Sequence, residues 1–131
     1  MKPLSLTFVL AMAVLIVGGA AAPLESPSFV AILSGAEEVP PRETLARGTA
    51  TFLVAGDASE VGYRLTVANI ENPFAAHVHC AGPEVNGPVG VTLFVGAAAS
   101  GRTDGVLASG AFTGPDAGNA CGWADLAAVL A

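Results

Sequence analysis

Lysine is nearly missing from this chain. Lys2 is the sole example, and the other basic side chains are Arg42, Arg47, Arg64 and Arg102. Against eleven carboxylates the formal net charge is −6. Scattered arginines on an acidic chain give no cationic footprint, which excludes nucleic acid and anionic lipid surfaces as partners. Histidine is equally scarce, with only His77 and His79, and there are two cysteines, Cys80 and Cys121. No nucleophile sits beside a credible base. Ser34 lies in Ser-Gly-Ala, Ser109 lies in a weakly patterned segment, and the adjacent Glu37 and Glu38 face apart in extended chain. No glycine-rich segment follows a strand and opens a helix, as phosphate binding requires. Internal repeats, heptads and low-complexity blocks are also lacking. The chain therefore reads as a non-enzyme, with no cofactor expected.

The single long apolar run is at the N-terminus. Lys2 supplies a positive start, Leu4 to Val17 is apolar except for Ser5 and Thr7, and Gly18 to Ala22 are small. That order is a secretory signal peptide over residues 1–21. Cleavage is expected after Ala21, because a cut after Ala22 would place Pro23 behind the scissile bond. The apolar core is shorter than the roughly 20 residues a spanning helix needs, and no cysteine follows it to carry a lipid. Removing 21 of the 131 residues leaves 110, one domain with one modest core, and losing Lys2 moves the net charge from −6 to −7. The expected location is secreted or periplasmic, with no membrane span after cleavage. In an oxidising compartment Cys80 and Cys121 are expected to form a disulfide, whose closed loop contributes about 3–4 kcal/mol on the chain-entropy account.

Residues 22–27 read as a flexible leader bracketed by Pro23 and Pro27, ahead of a domain over 28–131. Ser28 to Leu33 reads as a strand, and Ala36 to Glu43, with Pro40-Pro41, as a loop or edge. Arg47 to Val54 alternates, with Ala50, Phe52 and Val54 on one face; Val61, Tyr63, Leu65 and Val67 repeat the pattern after a Gly56-Asp57 turn. Period two over these lengths predicts an antiparallel hairpin of half-buried strands. Ala75 to Cys80, Val89 to Val95 and, less clearly, Gly105 to Thr113 read as further strands. Trp123 to Leu130 has helical spacing, with Trp123, Leu126, Ala127 and Leu130 along one side. Short strands separated by Gly/Pro turns predict an all-β fold: an antiparallel β-sandwich or Greek-key, barrel-like single domain with a short C-terminal helix.

Four blocks in order carry a family resemblance: Leu33-Ser34-Gly35-Ala36-Glu37-Glu38-Val39-Pro40-Pro41, Gly48-Thr49-Ala50-Thr51-Phe52, Tyr63-Arg64-Leu65-Thr66-Val67, and Ala76-His77-Val78-His79, followed by Asn86-Gly87-Pro88-Val89. Together they resemble the CHRD domain, named for chordin and found in many exported bacterial proteins. The resemblance implies an exported binding or interaction module, its partner an extracellular or periplasmic protein, with no catalysis. Trp123-Ala124-Asp125-Leu126 looks like the helical segment that precedes the family's closing strands. Those strands carry a Tyr-Val-x-Val-His-Thr stretch and a Gly-Glu-Ile-Arg-Gly motif, neither of which precedes Ala131. The expectation is a C-terminally incomplete domain. It would either self-associate through an open sheet edge or be an inactive truncated fragment.

His77 and His79 are two apart, so on a strand they share a face and present two nitrogens to zinc or copper. His-Val-His before a Gly/Asn-rich loop resembles the copper strand of copper–zinc superoxide dismutase. That centre needs about six ligands, mostly imidazole, and two are present. The alternative to an interaction module is thus a metal-binding exported protein with weak zinc or copper affinity at His77 and His79. The plainer role is for one histidine to hydrogen-bond the Asn86-Gly87-Pro88 turn while the other stays exposed.

Overall fold

The computed structural model describes residues 26–82 and 84–131. The expected export segment 1–21 and leader residues 22–25 lie outside the described residues. Six strands follow in order: β1 (Ser28–Ser34), β2 (Arg47–Val54), β3 (Val61–Glu71), β4 (Ala75–His79), β5 (Val89–Val95) and β6 (Arg102–Phe112). A 3-10 turn, Gly35–Glu37, follows β1, and a short helix α1, Leu126–Leu130, comes last. All strand pairs are antiparallel. One sheet has the order β1-β2-β3-β6, and β4 pairs with β5 in a second. The chain leaves the first sheet after β3, builds the β4–β5 pair, and returns as β6 beside β3. The fold is all-β, as the alternating pattern indicates.

Register explains the core. Ala50, Phe52 and Val54 on β2 lie opposite Leu65, Tyr63 and Val61 on β3, so both strands turn one apolar face the same way. Ala50, Leu65 and Val67 form a buried cluster, closed over by Ala31 of β1, Ala76 of β4 and Leu107 of β6. Val54 and Val61 form a second cluster with Leu126 of α1. The Tyr63 hydroxyl donates to the Leu93 carbonyl at 2.6 Å and joins the two sheets.

Four strands run differently from the expected bounds. β1 runs one residue past Leu33, to Ser34, which pairs with Arg47. β3 continues to Glu71 through a bulge at 68–69, where Asn69 adopts φ 58°. There the Asn69 N–H donates to Asp104 Oδ1 at 2.7 Å, and Arg102 donates to both Asp104 Oδ2 (2.8 Å) and Asn69 Oδ1 (2.6 Å). Three side chains thus replace ladder bonds and carry the pairing past Val67. The same contacts start β6 at Arg102 rather than Gly105, and it ends at Phe112 rather than Thr113. β4 ends at His79, one residue before Cys80.

The helix begins at Leu126, not Trp123, because Asp125 caps it: its side chain accepts from the Ala128 N–H at 2.9 Å. Trp123 belongs to the preceding loop. Its N–H donates to Asn119 Oδ1 (3.1 Å) and its carbonyl accepts from Asn119 Nδ2 (2.9 Å). The packed face of α1 is Leu126, Val129 and Leu130; Ala127 is exposed.

Candidate functional site

The only two histidines stand on β4, in the second sheet, while Ser34 and Ser109 stand on β1 and β6 of the first. His77 and His79 are both exposed, with ring centroids 5.8 Å apart and planes inclined at 72°. The His79 Nδ1 donates to the Gly87 carbonyl at 2.6 Å. A carbonyl oxygen only accepts, so this contact needs the proton on Nδ1, which in the neutral ring leaves Nε2 with its lone pair. Gly87 is confined as well, since a Cβ there would lie 2.5 Å from the Ala81 Cβ.

Opposite His77 on β5 is Thr92. Its hydroxyl donates to Asp116 Oδ2 at 2.6 Å. Hydrogen bonds from the Thr92 hydroxyl and then its backbone, with a smaller contribution from charge on His77, hold the Asp116 carboxyl below the ordinary carboxylate range. Asp116 lies 24 residues from Thr92, in the Gly114–Gly122 segment, where turn composition gave no hint of it. Among the described residues no three His, Cys, Asp or Glu side chains are grouped to hold a metal ion.

Cys80 and Cys121 are joined as a disulfide, with Cα atoms 5.8 Å apart, and clamp the end of β4 to the loop that carries Asp116 and Trp123. At the same end Asn86 Nδ2 donates to the Val39 carbonyl at 2.7 Å. This bond brings the Glu37-Glu38-Val39-Pro40 segment against Asn86-Gly87-Pro88, two blocks far apart in sequence. Glu37 and Glu38 are exposed beside it, in and just after the 3-10 turn.

Exposed apolar side chains are gathered on β1 and β2, while Phe74, Val85, Val95 and Val106 are exposed elsewhere. Phe29, Val30, Ile32, Leu33 and Leu53 are all exposed, as is Leu45 in the loop between the strands. Two open grooves run along β1. One, of about 550 Å³, is lined by Leu33, Leu45 and Val67 among others; the second, of about 390 Å³, by Phe29, Leu53 and Tyr63. Arg47 is the charged residue in the first and Arg64 in the second. This surface is suited to apolar contact with another chain, and it offers no acid–base pair. Among the described residues no helix is long and apolar enough to cross a membrane.

The sequence matches the family model of the CHRD domain over residues 29–128. No curated protein and no solved structure matches the chain.

Proposed function

The chain belongs to the CHRD domain family, and on that premise we propose that it acts outside the cytoplasm as a protein-binding module without catalysis of its own. The observation that carries this reading is the apolar surface of β1 and β2, where Val30, Ile32 and Leu53 are exposed on one face of the sheet. Exposed apolar side chains gathered in one patch mark interaction sites. The test places a photo-crosslinking amino acid at Leu53, in the protein expressed in its own host. A discrete adduct is expected, weakened when Val30 and Ile32 are both replaced by lysine. Uniform low-level labelling, unaffected by those substitutions, would sink the reading. Export is part of the proposal, supported by the signal pattern and the disulfide. Mass spectrometry of the exported protein should find its N-terminus at Ala22 or within one residue, whereas intact Met1 would refute export.

A second reading is favoured by one contact. With Nδ1 of His79 committed to the Gly87 carbonyl, as in metal-ligating histidines, Nε2 is the nitrogen left for a metal, and the His77 ring lies 5.8 Å away, centroid to centroid. Two nitrogens leave at least two positions to water, so zinc or copper should bind no tighter than about micromolar. Calorimetry with each ion checks this. A nanomolar site abolished by His77→Ala would make metal binding the principal function.

A further inference from the structure

β1 has the composition of an interior strand and the position of an edge strand. Its sequence, Ser28-Phe29-Val30-Ala31-Ile32-Leu33-Ser34, carries no charge and no proline. It pairs with β2 through seven consecutive residues without a bulge. Strands that are apolar on both faces are normally covered on both faces, with neighbours on each side. Here Phe29 is 50 % exposed, Val30 64 %, Ile32 70 % and Leu33 40 %. The opposite edge of the same sheet, β6, is blunted in the usual ways, by two register shifts and by Arg102 and Asp104. β1 has none of these protections.

The strand is also its own complement. Read outward from Ala31, its residues are Val30 and Ile32, then Phe29 and Leu33, then Ser28 and Ser34. An antiparallel pairing with a second β1 about a two-fold axis at Ala31 therefore sets like against like: β-branched on β-branched, large on large, serine on serine. The backbone agrees with this register. The Val54 N–H donates to the Pro27 carbonyl at 3.0 Å, which makes 27 and 54 a hydrogen-bonded pair, and with it 29–52, 31–50 and 33–48. The N–H and C=O groups of Ser28, Val30, Ile32 and Ser34 consequently point away from β2. A two-fold at Ala31 pairs Val30 with Ile32 and Ser28 with Ser34, the very residues whose groups are turned outward. Ala31 meets its own copy at a non-hydrogen-bonded position, where side chains come closest.

We propose that the partner of this edge is a second copy of the chain, joined β1 to β1 in antiparallel register centred on Ala31, so that two four-stranded sheets become one. The proposal rests on the interaction-module reading and names its partner. The dimer is isologous and closed, with no edge of this kind left to propagate. It uses about eight main-chain hydrogen bonds, and it covers Phe29 and Leu33 on the core side and Val30 and Ile32 on the outer side.

Sedimentation of the full chain as exported tests it. Wild type is expected at twice the monomer mass. Replacing Val30 and Ile32 together by lysine sets like charges opposite each other and should raise the dissociation constant at least about a hundredfold. Replacing Val30 by glutamate and Ile32 by lysine sets unlike charges opposite each other and should restore most of the loss. Both variants alter exposed side chains, and a cooperative melt checks that each is folded. As an independent measurement, Ala31→Cys should yield a disulfide-linked dimer on mild oxidation. A monomeric wild type would overturn the proposal, and so would a dimer indifferent to the paired lysines, equal weakening by both double variants, or no Ala31→Cys cross-link. A monomer that still gives a discrete adduct at Leu53 with a different protein overturns the self-pairing and leaves the module reading standing.

Discussion

At Gly90 a hydrogen in place of a methyl lets the Trp123 ring rest against the backbone of β5. A Cβ built there would overlap the ring's six-membered edge. Trp123 cannot retreat easily, because Asn119 holds its peptide from both sides. Gly90→Ala should therefore cost roughly 1–3 kcal/mol, as overpacking does. The expected result is a lower Tm with a red-shifted tryptophan emission; an unchanged spectrum and Tm would show the ring free to move. Asp116 on the same loop carries a pH dependence. Its folded pKa lies below the ordinary carboxylate value because Thr92 donates to the charged form. Its stabilising contribution is thus present above about pH 4 and is lost as pH falls through the lowered folded value. Melting curves from pH 7 down to about pH 3 should show a smaller acid-induced loss in Asp116→Asn than in wild type. Identical acid limbs would remove Asp116 from the account. Asp57 and Asp104 are also held low by hydrogen bonds, so a residual acid limb is expected in the variant.

Among the elements, β5 shows how irregularity is used. Its ladder with β4 shifts register between Ala76 and His77 and again between Val78 and His79, leaving Leu93 and Gly90 as extra residues. Both extra residues offer their carbonyls outward: Leu93 to the Tyr63 hydroxyl at 2.6 Å, Gly90 to the Asp116 N–H at 2.8 Å. The bulges are thus the points at which the second sheet is fastened to the first and to the C-terminal loop. Tyr63→Phe keeps the ring, which also packs 6.3 Å from Phe112 and covers Gly110, and removes only the inter-sheet bond. The expected loss is about 1 kcal/mol by denaturant titration. A neutral substitution would mean that a water takes the hydroxyl's place. These fastenings also mark the limit of what was legible in the sequence. The hairpin of β2 and β3 was readable because alternation is a local signal, and the adjacency of His77 and His79 because it follows from a spacing of two. The bulge at 68–69 hid the continuation of β3, since its support comes from Asp104, 35 residues away. The capped start of α1 was hidden by the apolar spacing of Trp123, which suits a helix although its ring serves β5. The apolar run of β1 was visible as a strand, but its edge position depends on the whole sheet order.

At the scale of the whole molecule, the disulfide governs whether the two sheets act as one domain. The buried clusters draw chiefly on the first sheet: Ala50, Leu65 and Val67, then Val54 and Val61 with Leu126. The β4–β5 pair adds Val91 and Leu93 as buried residues. It is fastened by Tyr63, by Asp116, by Trp123 on Gly90, and by the Cys80–Cys121 bond. That bond spans a sequence separation of 41, and closing such a loop in the unfolded chain contributes about 4 kcal/mol on the chain-entropy account. A domain of this size has about 5–10 kcal/mol in all, so the cross-link is a large fraction of its stability. Reduction, or Cys80→Ser with Cys121→Ser, should lower the Tm by about 15 °C or more, at about 4–8 °C per kcal/mol. Loss should begin in the second sheet. Hydrogen exchange in the reduced protein is expected to rise across Ala75–Val95 and 114–123 before it rises in β2 and β3, whose pairing and core do not involve the cysteines. A reduced protein melting within about 5 °C of the oxidised one, or exchanging uniformly, would show that the side-chain fastenings alone hold the second sheet in place.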